Sequence, residues 1–370
     1  MRRRTVFFIL TVLSILLIVP AVNILSAPTP DAVRWKDKSF LYNMDFATQW
    51  LARLLYPLGV STDPEQVIIG RDDWLYLGDG YERTLSVDRR TPTEAEIALA
   101  KRIGAATKAW ERYLKNNGVQ LFRIMVAPNK GSIYPEYLPL WARPVSPNVT
   151  DALLAEVGRG NYIDLRGSLI AAKADNPEAL YYKTDTHWNS LGAGLAFRFF
   201  AQQVGMAIPE LRWLPDEVYT VHRVDSRKGG DLAKFLRLTE NLRDDKPMIH
   251  AQSLPVTTTH IDYDTGQIVY EGGNIAVGSR HKPLLVKAEG AINNKKVLWL
   301  RDSFGTAMSP LMAATFSDVL QLHWREGIKP GGRLEQLVAD WKPDYVFFTV
   351  VERDSRVGLF AAYRPPVEIP

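Results

Sequence analysis

Two short polar segments contain the residue types that acyl transfer requires. Asp185 and His187 stand two positions apart in one segment, and Ser303 follows an apolar run at residues 297–300 far downstream. Residues two apart in an extended chain point to the same side, so the Asp185 carboxylate could orient the His187 imidazole. A serine hydroxyl next to such a pair can act as a nucleophile. The alternatives are a serine that only shapes a turn and a loop histidine with a local hydrogen bond.

The elements around Ser303 favour the catalytic interpretation. Residues 297–300 predict a buried strand, and open parallel sheets bind their ligands beyond the carboxyl ends of the strands. Ser303 lies at such an end, in a predicted tight turn whose backbone N–H groups could stabilise an oxyanion. The next helix is expected to start at Ser309-Pro310, with proline at its first position. The Gly-x-Ser-x-Gly motif of α/β hydrolases is absent.

Strand and helix patterns alternate along most of the chain. A capping box at Thr93 and Glu96 opens a helix that Gly118 is placed to end, and a second helix is expected to stop at Gly205. Apolar runs predict strands at 119–127, 162–165, 297–300, 319–322 and 345–351. This alternation predicts an α/β fold with three layers and a mainly parallel sheet. Residues 208–290 break the pattern and predict a β-rich insertion or lid.

The N-terminus predicts a membrane anchor. Three arginines, at positions 2–4, precede an apolar stretch at 6–25, which is about the length that spans a bilayer. The basic cluster should stay in the cytoplasm, so the rest of the chain is expected to be exported. A cleavable signal peptide is the alternative. The predicted parts are a signal anchor at 1–27, a juxtamembrane helical segment at 28–66 and a catalytic domain at 67–370.

Composition excludes several kinds of site. The 370 residues include no cysteine, which removes disulfides, thiolate metal sites and cysteine nucleophiles. The net charge of +4 is dispersed among acids, so no nucleic-acid partner is expected. The six histidines include no pair at the helical spacing of a zinc site, and we predict neither a metal nor a cofactor.

Several motifs together resemble the alginate O-acetyltransferase family of the AlgJ/AlgX type. The matching segments, in the order of the family, are Gly70-Arg71-Asp72-Asp73-Trp74-Leu75-Tyr76-Leu77, Ala127-Pro128-Asn129-Lys130 with Ile133-Tyr134-Pro135, Tyr181-Tyr182-Lys183-Thr184-Asp185-Thr186-His187-Trp188-Asn189, Gly230-Asp231-Leu232 and Asp302-Ser303-Phe304. The resemblance implies an SGNH hydrolase-like fold in its single-domain, membrane-anchored form. It also implies that Ser303 is the nucleophile, His187 the general base and Asp185 its orienting partner.

Four further residues are weaker candidates for binding substrate. Arg301 stands where the commonest form of the family motif has glycine, so its guanidinium could contact substrate or the oxyanion. Lys130, Tyr134 and Arg353 lie near predicted strand ends and could face the same cleft. For these last three a structural role is the competing interpretation.

The resemblance implies an O-acetyltransferase that acts on an alginate-like exopolysaccharide through an acetyl-serine. Its location would be the periplasm, anchored to the inner membrane. Because acetyl-CoA is cytoplasmic, a membrane-bound O-acyltransferase is expected to supply the acetyl groups. An acetyl esterase with the same triad and a non-catalytic assembly protein remain alternatives. The identity of the polymer, the cleavage of the anchor and the oligomeric state stay open.

Overall fold

The computed structural model describes residues 2–158, 160–363 and 365, so the predicted domain boundary at 370 lies outside the described residues. The strands are β1 Val67–Ile69, β2 Leu75–Leu77, β3 Leu121–Ala127, β4 Tyr162–Asp164, β5 Val221–Lys228, β6 Arg243–Ile249, β7 Thr257–Asp262, β8 Ile268–Gly273, β9 Leu284–Glu289, β10 Asn293–Arg301, β11 Phe316–His323 and β12 Tyr345–Val351. The helices are α1 Arg2–Leu25, α2 Lys38–Leu41, α3 Asp45–Leu55, α4 Thr84–Asp88, α5 Glu94–Asn116, α6 Lys130–Ile133, α7 Val149–Val157, α8 Arg166–Asp175, α9 Ser190–Ala207, α10 Asp231–Phe235, α11 Gly305–Thr315, α12 Trp324–Ile328, α13 Leu334–Trp341, α14 Glu352–Ser355 and α15 Leu359–Ala362.

An eight-stranded sheet forms the centre of the fold. Its order is β4-β3-β12-β10-β11-β9-β7-β8. The first five strands in this order run parallel, and β9, β7 and β8 are added antiparallel at one edge. Because the parallel strands share a direction, the segments that follow β3, β10 and β12 all emerge at one edge of the sheet. The predicted α/β class with a mainly parallel sheet is confirmed.

Helices cover both faces of the parallel strands. Successive residues of a strand point to opposite faces, and the β10 residues divide accordingly. Trp299 packs in the cluster with α9 and α11, whereas Leu298 and Leu300 pack in the cluster with α5 and α13. Buried strands of this type read as continuous apolar runs, which explains why the sequence located them correctly.

The β-rich region at 208–290 has two separate parts. Strands β7, β8 and β9 extend the main sheet, so this part is a continuation of the central layer. Strands β5 and β6 form an antiparallel hairpin of their own. The hairpin lies next to the residues described below.

Two predicted helix ends differ from the structure. Helix α11 begins at Gly305 and contains Pro310 in its interior, so the predicted start at Ser309-Pro310 is wrong. Pro310 lacks the N–H that would bond to the Thr306 carbonyl, and this carbonyl instead accepts a hydrogen bond from the Ser309 hydroxyl at 2.8 Å. Helix α9 continues past Gly205 to Ala207, because the Gly205 backbone stays helical against the side chain of Trp213.

Candidate active site

Ser303 lies in a tight turn between β10 and α11. Asp302 shapes this turn: its carboxylate accepts hydrogen bonds from the backbone N–H of Phe304 at 2.9 Å and from that of Val351 at 2.6 Å. The second bond joins the turn to the end of the neighbouring strand β12. Burial raises the pKa of Asp302 to about 6. The Ser303 backbone N–H has no acceptor within the described part of the chain, so it is free to face a reacting oxygen.

The fold brings together the three residues that the sequence predicts as a triad. His187 Nε2 lies 2.8 Å from Ser303 Oγ, and His187 Nδ1 lies 2.7 Å from Asp185 Oδ1. Both distances are those of hydrogen bonds. Two residues 116 positions apart in the sequence are thus in direct contact. This arrangement can deprotonate a serine and stabilise the imidazolium that forms.

Burial and charge set the ionisation of the pair. Burial alone would raise the pKa of Asp185, but the hydrogen bond from His187 and the charge of Arg227 hold it below its usual value. Burial likewise disfavours the His187 imidazolium, yet the hydrogen bond and charge of Asp185 bring the pKa of His187 above its usual 6.5. Asp185 is therefore ionised, and His187 is a stronger base than an ordinary histidine.

Two further charged residues contact the pair. Arg227, on β5, donates to Asp185 Oδ2 at 2.9 Å, and its guanidinium lies 4.3 Å above the ring of Tyr182. Asp231, at the start of α10, accepts a hydrogen bond from the Thr186 backbone N–H at 2.7 Å. Its other oxygen lies 3.7 Å from His187 Nδ1. Burial and the nearby Asp185 charge raise the pKa of Asp231.

A buried lysine holds the loop that carries the aspartate and histidine. Lys130 Nζ donates to the backbone carbonyls of Tyr182 at 3.0 Å, Lys183 at 2.8 Å and Asp185 at 2.7 Å. An ammonium has three donors, so all three are used. Burial lowers the pKa of Lys130 to about 7. Lys130 thus fixes the conformation of the loop, and its ammonium has no donor left for a ligand.

Two more contacts fix the same loop. The Thr184 side chain donates to Asp244 at 2.7 Å and accepts from the Gly230 backbone N–H at 2.9 Å. A side chain at Gly230 would clash with Asp185, because its Cβ would lie 2.3 Å from Asp185 Oδ2. Glycine is required there so that the backbone can approach the carboxylate.

The histidine and the two neighbouring carboxylates also satisfy the spacing of a metal site. Potential ligand atoms of Asp185, His187 and Asp231 all lie within 4.8 Å of one another. A metal on His187 Nδ1 would replace the hydrogen bond to Asp185, which the triad chemistry needs. The arrangement therefore fits the triad better than it fits a metal.

A cavity of about 350 Å³ opens in front of Ser303 and His187. Its lining includes Tyr182, Arg227 and Lys246, and much of the remaining wall is apolar. The volume greatly exceeds that of an acetyl group, so there is room for part of an acceptor. The basic groups in the lining would attract an acceptor with anionic groups.

The four weaker candidates occupy positions outside this cavity. Arg301 is 1% exposed, and its guanidinium donates to the side chain of Gln321 and to the carbonyls of Val277 and Gly278. It thus joins the turn before Ser303 to the segment between β8 and β9.

Tyr134 and Arg353 also have structural contacts. The Tyr134 hydroxyl accepts from the Leu180 backbone N–H at 2.8 Å. Arg353 donates to Asn129 at 3.3 Å and lies 5.9 Å from the ring of Phe304. Arg353 and Lys130 line a smaller neighbouring cavity that Thr186 also contacts. The positive charge of Arg353 partly opposes the rise in the pKa of His187.

The sequence alone does not single out Arg227, Asp231 or Lys246. Asp231 falls within the Gly230-Asp231-Leu232 motif, which is the signal that could have identified it. Arg227 and Lys246 sit in ordinary mixed-charge stretches, and only the pairing of β5 with β6 presents them to the cavity.

Comparison with known proteins identifies related sequences. Residues 67–269 match the family model described as the SGNH hydrolase-like domain of acetyltransferase AlgX. A protein named probable alginate O-acetylase AlgJ from Pseudomonas fluorescens is 30% identical over 175 residues. The protein of the same name from Pseudomonas aeruginosa is 32% identical over 181 residues. Each match covers 46% of this chain and 41% of the relative, so the chain matches less than half the length of these curated relatives.

Solved structures share the fold at low sequence identity. Bacillus cereus PatB1 has a TM-score of 0.57 and 16% identity, over 80% of this chain and 98% of that chain. A DHHW family protein from Eubacterium siraeum has a TM-score of 0.55 and 17% identity, over 83% and 98%. Asp185 and His187 lie inside the family match, whereas Ser303 lies beyond its last residue.

Proposed function

Since this chain belongs to the SGNH hydrolase-like acetyltransferase family of AlgX, we propose that it transfers acetyl groups to hydroxyls of an exopolysaccharide through an acetyl-serine at Ser303. The observation that carries the proposal is the hydrogen-bonded chain from Asp185 through His187 to Ser303, at 2.7 and 2.8 Å. Ser303 lies outside the family match, so its role rests on this geometry.

The first half of the reaction forms the acetyl-enzyme. His187 Nε2 takes the proton from Ser303 Oγ, and Oγ attacks the carbonyl carbon of the acetyl donor. The free Ser303 N–H stabilises the oxyanion of the tetrahedral intermediate. As the intermediate collapses, the bond to the donor breaks and His187 returns its proton to the leaving group. Acetyl remains on Ser303 Oγ.

The second half transfers the acetyl group. A sugar hydroxyl in the cavity gives its proton to His187 Nε2 and attacks the acetyl carbonyl. Ser303 Oγ leaves and takes the proton from His187, which restores the enzyme. Water in place of the sugar would make the protein an esterase. The basic residues that line the cavity support an acidic acceptor, and the names of the AlgJ relatives support alginate.

We further propose that the domain works in the periplasm, anchored to the inner membrane by α1. Residues 3–25 form a helix long and apolar enough to cross a membrane. An exported domain has no access to cytoplasmic acetyl-CoA. The acetyl group must then come from a membrane partner, and a membrane-bound O-acyltransferase is the partner we propose.

The test uses the full chain in detergent with an activated aryl acetate and candidate oligosaccharides. Intact-protein mass and the fate of the acetyl group would be followed in the wild type, Ser303→Ala and the surface control Ser317→Ala. We expect an acetyl adduct on Ser303 that passes to an oligosaccharide, in the wild type and the control alone. Release of free acetate with every acceptor would favour the esterase. A folded protein that forms no adduct would overturn the triad assignment.

A further inference from the structure

Helix α3 has two faces of opposite character. Its polar face contacts the catalytic domain: Asp45 pairs with Arg237 at 2.6 Å, and Gln49 donates to the Arg237 carbonyl at 3.1 Å. Ala52, on the same side, is buried in the cluster that contains the α10 residues. The opposite face exposes large apolar side chains to solvent, namely Phe46, Trp50, Leu51 and Leu54, which are 37%, 67%, 44% and 56% exposed.

The apolar face lies on a segment that is tied to the end of α1. The Asn23 side-chain amide, in the last turn of α1, donates to the carbonyls of Leu41 and Asn43, both at 2.9 Å. Helix α3 begins two residues after Asn43. The start of α3 therefore cannot move far from the end of α1.

We propose that α3 lies flat in the membrane interface, with its apolar face among the lipids. This inference rests on the anchoring role proposed for α1. Helices that lie in an interface carry large apolar residues on one face, and tryptophan is enriched at the depth of the headgroups. Trp35 and Trp50 are both 67% exposed in the part of the chain that follows α1. Exposed basic residues at positions 34, 36 and 38 would contact anionic headgroups.

This placement has a consequence for the active site. Helix α3 is joined to the catalytic domain through Arg237, which follows the short helix α10. The first residue of α10 is Asp231, which lies 3.7 Å from His187. With α3 on the lipid surface, the His187 side of the domain is held near that surface, because α10 has only five residues and spans about 6 Å. An acetyl group delivered at the membrane would then have a short path to Ser303.

The absence of native cysteine allows a direct test of depth. The full chain would carry one cysteine at a time, as Trp50→Cys or Leu54→Cys, labelled with an environment-sensitive fluorophore. It would be reconstituted in phosphatidylethanolamine and phosphatidylglycerol vesicles with and without lipids spin-labelled in the acyl chain. Because the label would sit at the boundary between headgroups and acyl chains, we expect a blue-shifted emission and a loss of about half the fluorescence to lipid spin-labelled near the top of the acyl chain.

Lys115→Cys is the matched control. Lys115 is exposed near the end of α5, at the sheet edge opposite Ser303, and its label should be quenched by less than about a tenth. Labels at 50 and 54 that behave like the control would overturn the proposal. The proposal would also be overturned if these labels were shielded from solvent in native membranes but were not quenched by lipid in vesicles. That result would favour a protein partner. The measurement requires no acetyl transfer, so it can fail without affecting the proposed function.

Discussion

Arg227 binds the oxygen of Asp185 that His187 does not use. Its guanidinium lies 2.9 Å from Asp185 Oδ2, while Oδ1 receives the imidazole at 2.7 Å. Each carboxylate oxygen therefore has one charged or polar side-chain partner, which fixes the plane of the carboxylate. Arg227 comes from the β5–β6 hairpin, so an element outside the main sheet positions Asp185.

Replacing Arg227 by methionine should raise the pKa of His187 further. The variant removes a cation beside Asp185, and the less compensated carboxylate then stabilises the imidazolium more strongly. We expect the acidic limb of the kcat/KM profile to move to higher pH and activity at pH 7 to fall about tenfold. Arg223→Met, on the same hairpin in an exposed ion pair, should leave the limb in place. A reduced rate with an unmoved limb would assign Arg227 a purely structural role.

The wild-type enzyme should lose activity in acid as His187 becomes protonated. Since the pKa of His187 is raised above 6.5, the neutral base is present above that pKa and disappears as the pH falls through it. We expect the acidic limb above pH 6.5. Asp185→Asn should move this limb downward and reduce the rate about ten-thousandfold, because the imidazolium loses its partner. An acidic limb that Asp185→Asn leaves unmoved would show that another group titrates.

Gly230→Ala should damage the site more than the fold. The new Cβ would lie 2.3 Å from Asp185 Oδ2 and must displace the carboxylate or the α10 backbone. We expect a loss of about a hundredfold in kcat, the effect of a displacement near 1 Å at a catalytic group. Gly167→Ala is the control, because a Cβ at Gly167 meets nothing within 4 Å. Near-wild-type turnover by Gly230→Ala would contradict the close approach of the Gly230 backbone to the Asp185 carboxylate.

Arg356→Met should destabilise the protein. Arg356 pairs with Asp88 at 2.7 Å, and the two side chains are only 8% and 10% exposed. Loss of the cation leaves a buried carboxylate without its charge partner, at a cost of about 3–5 kcal/mol in the free energy of unfolding. Arg333→Met breaks a more exposed pair with Asp264 and should cost about 0–1 kcal/mol. Equal denaturant midpoints for the two variants would refute the predicted difference between the buried and the more exposed ion pair.

The buried strands and the candidate residues of the triad were predictable from the sequence. The run at 297–300 is continuously apolar, as is typical of a strand that helices cover on both faces of a parallel sheet. The spacing of Asp185 and His187 fixed their pairing, because residues two apart share a side in extended backbone. The motifs around them identified the family before the fold was known.

Which charged residues line the cavity depends on how the chain folds. Lys130 and Arg301 resemble substrate ligands in sequence, yet burial commits Lys130 to three backbone carbonyls and Arg301 to Gln321 and the 277–278 backbone. The sequence around Arg227 does not predict a role at the site, and Arg227 contacts Asp185, which lies 42 positions earlier in the chain. A buried cation is stable only where hydrogen-bond acceptors surround it. Where those acceptors lie depends on the order of the strands and the register of the hairpin, which the local sequence does not encode.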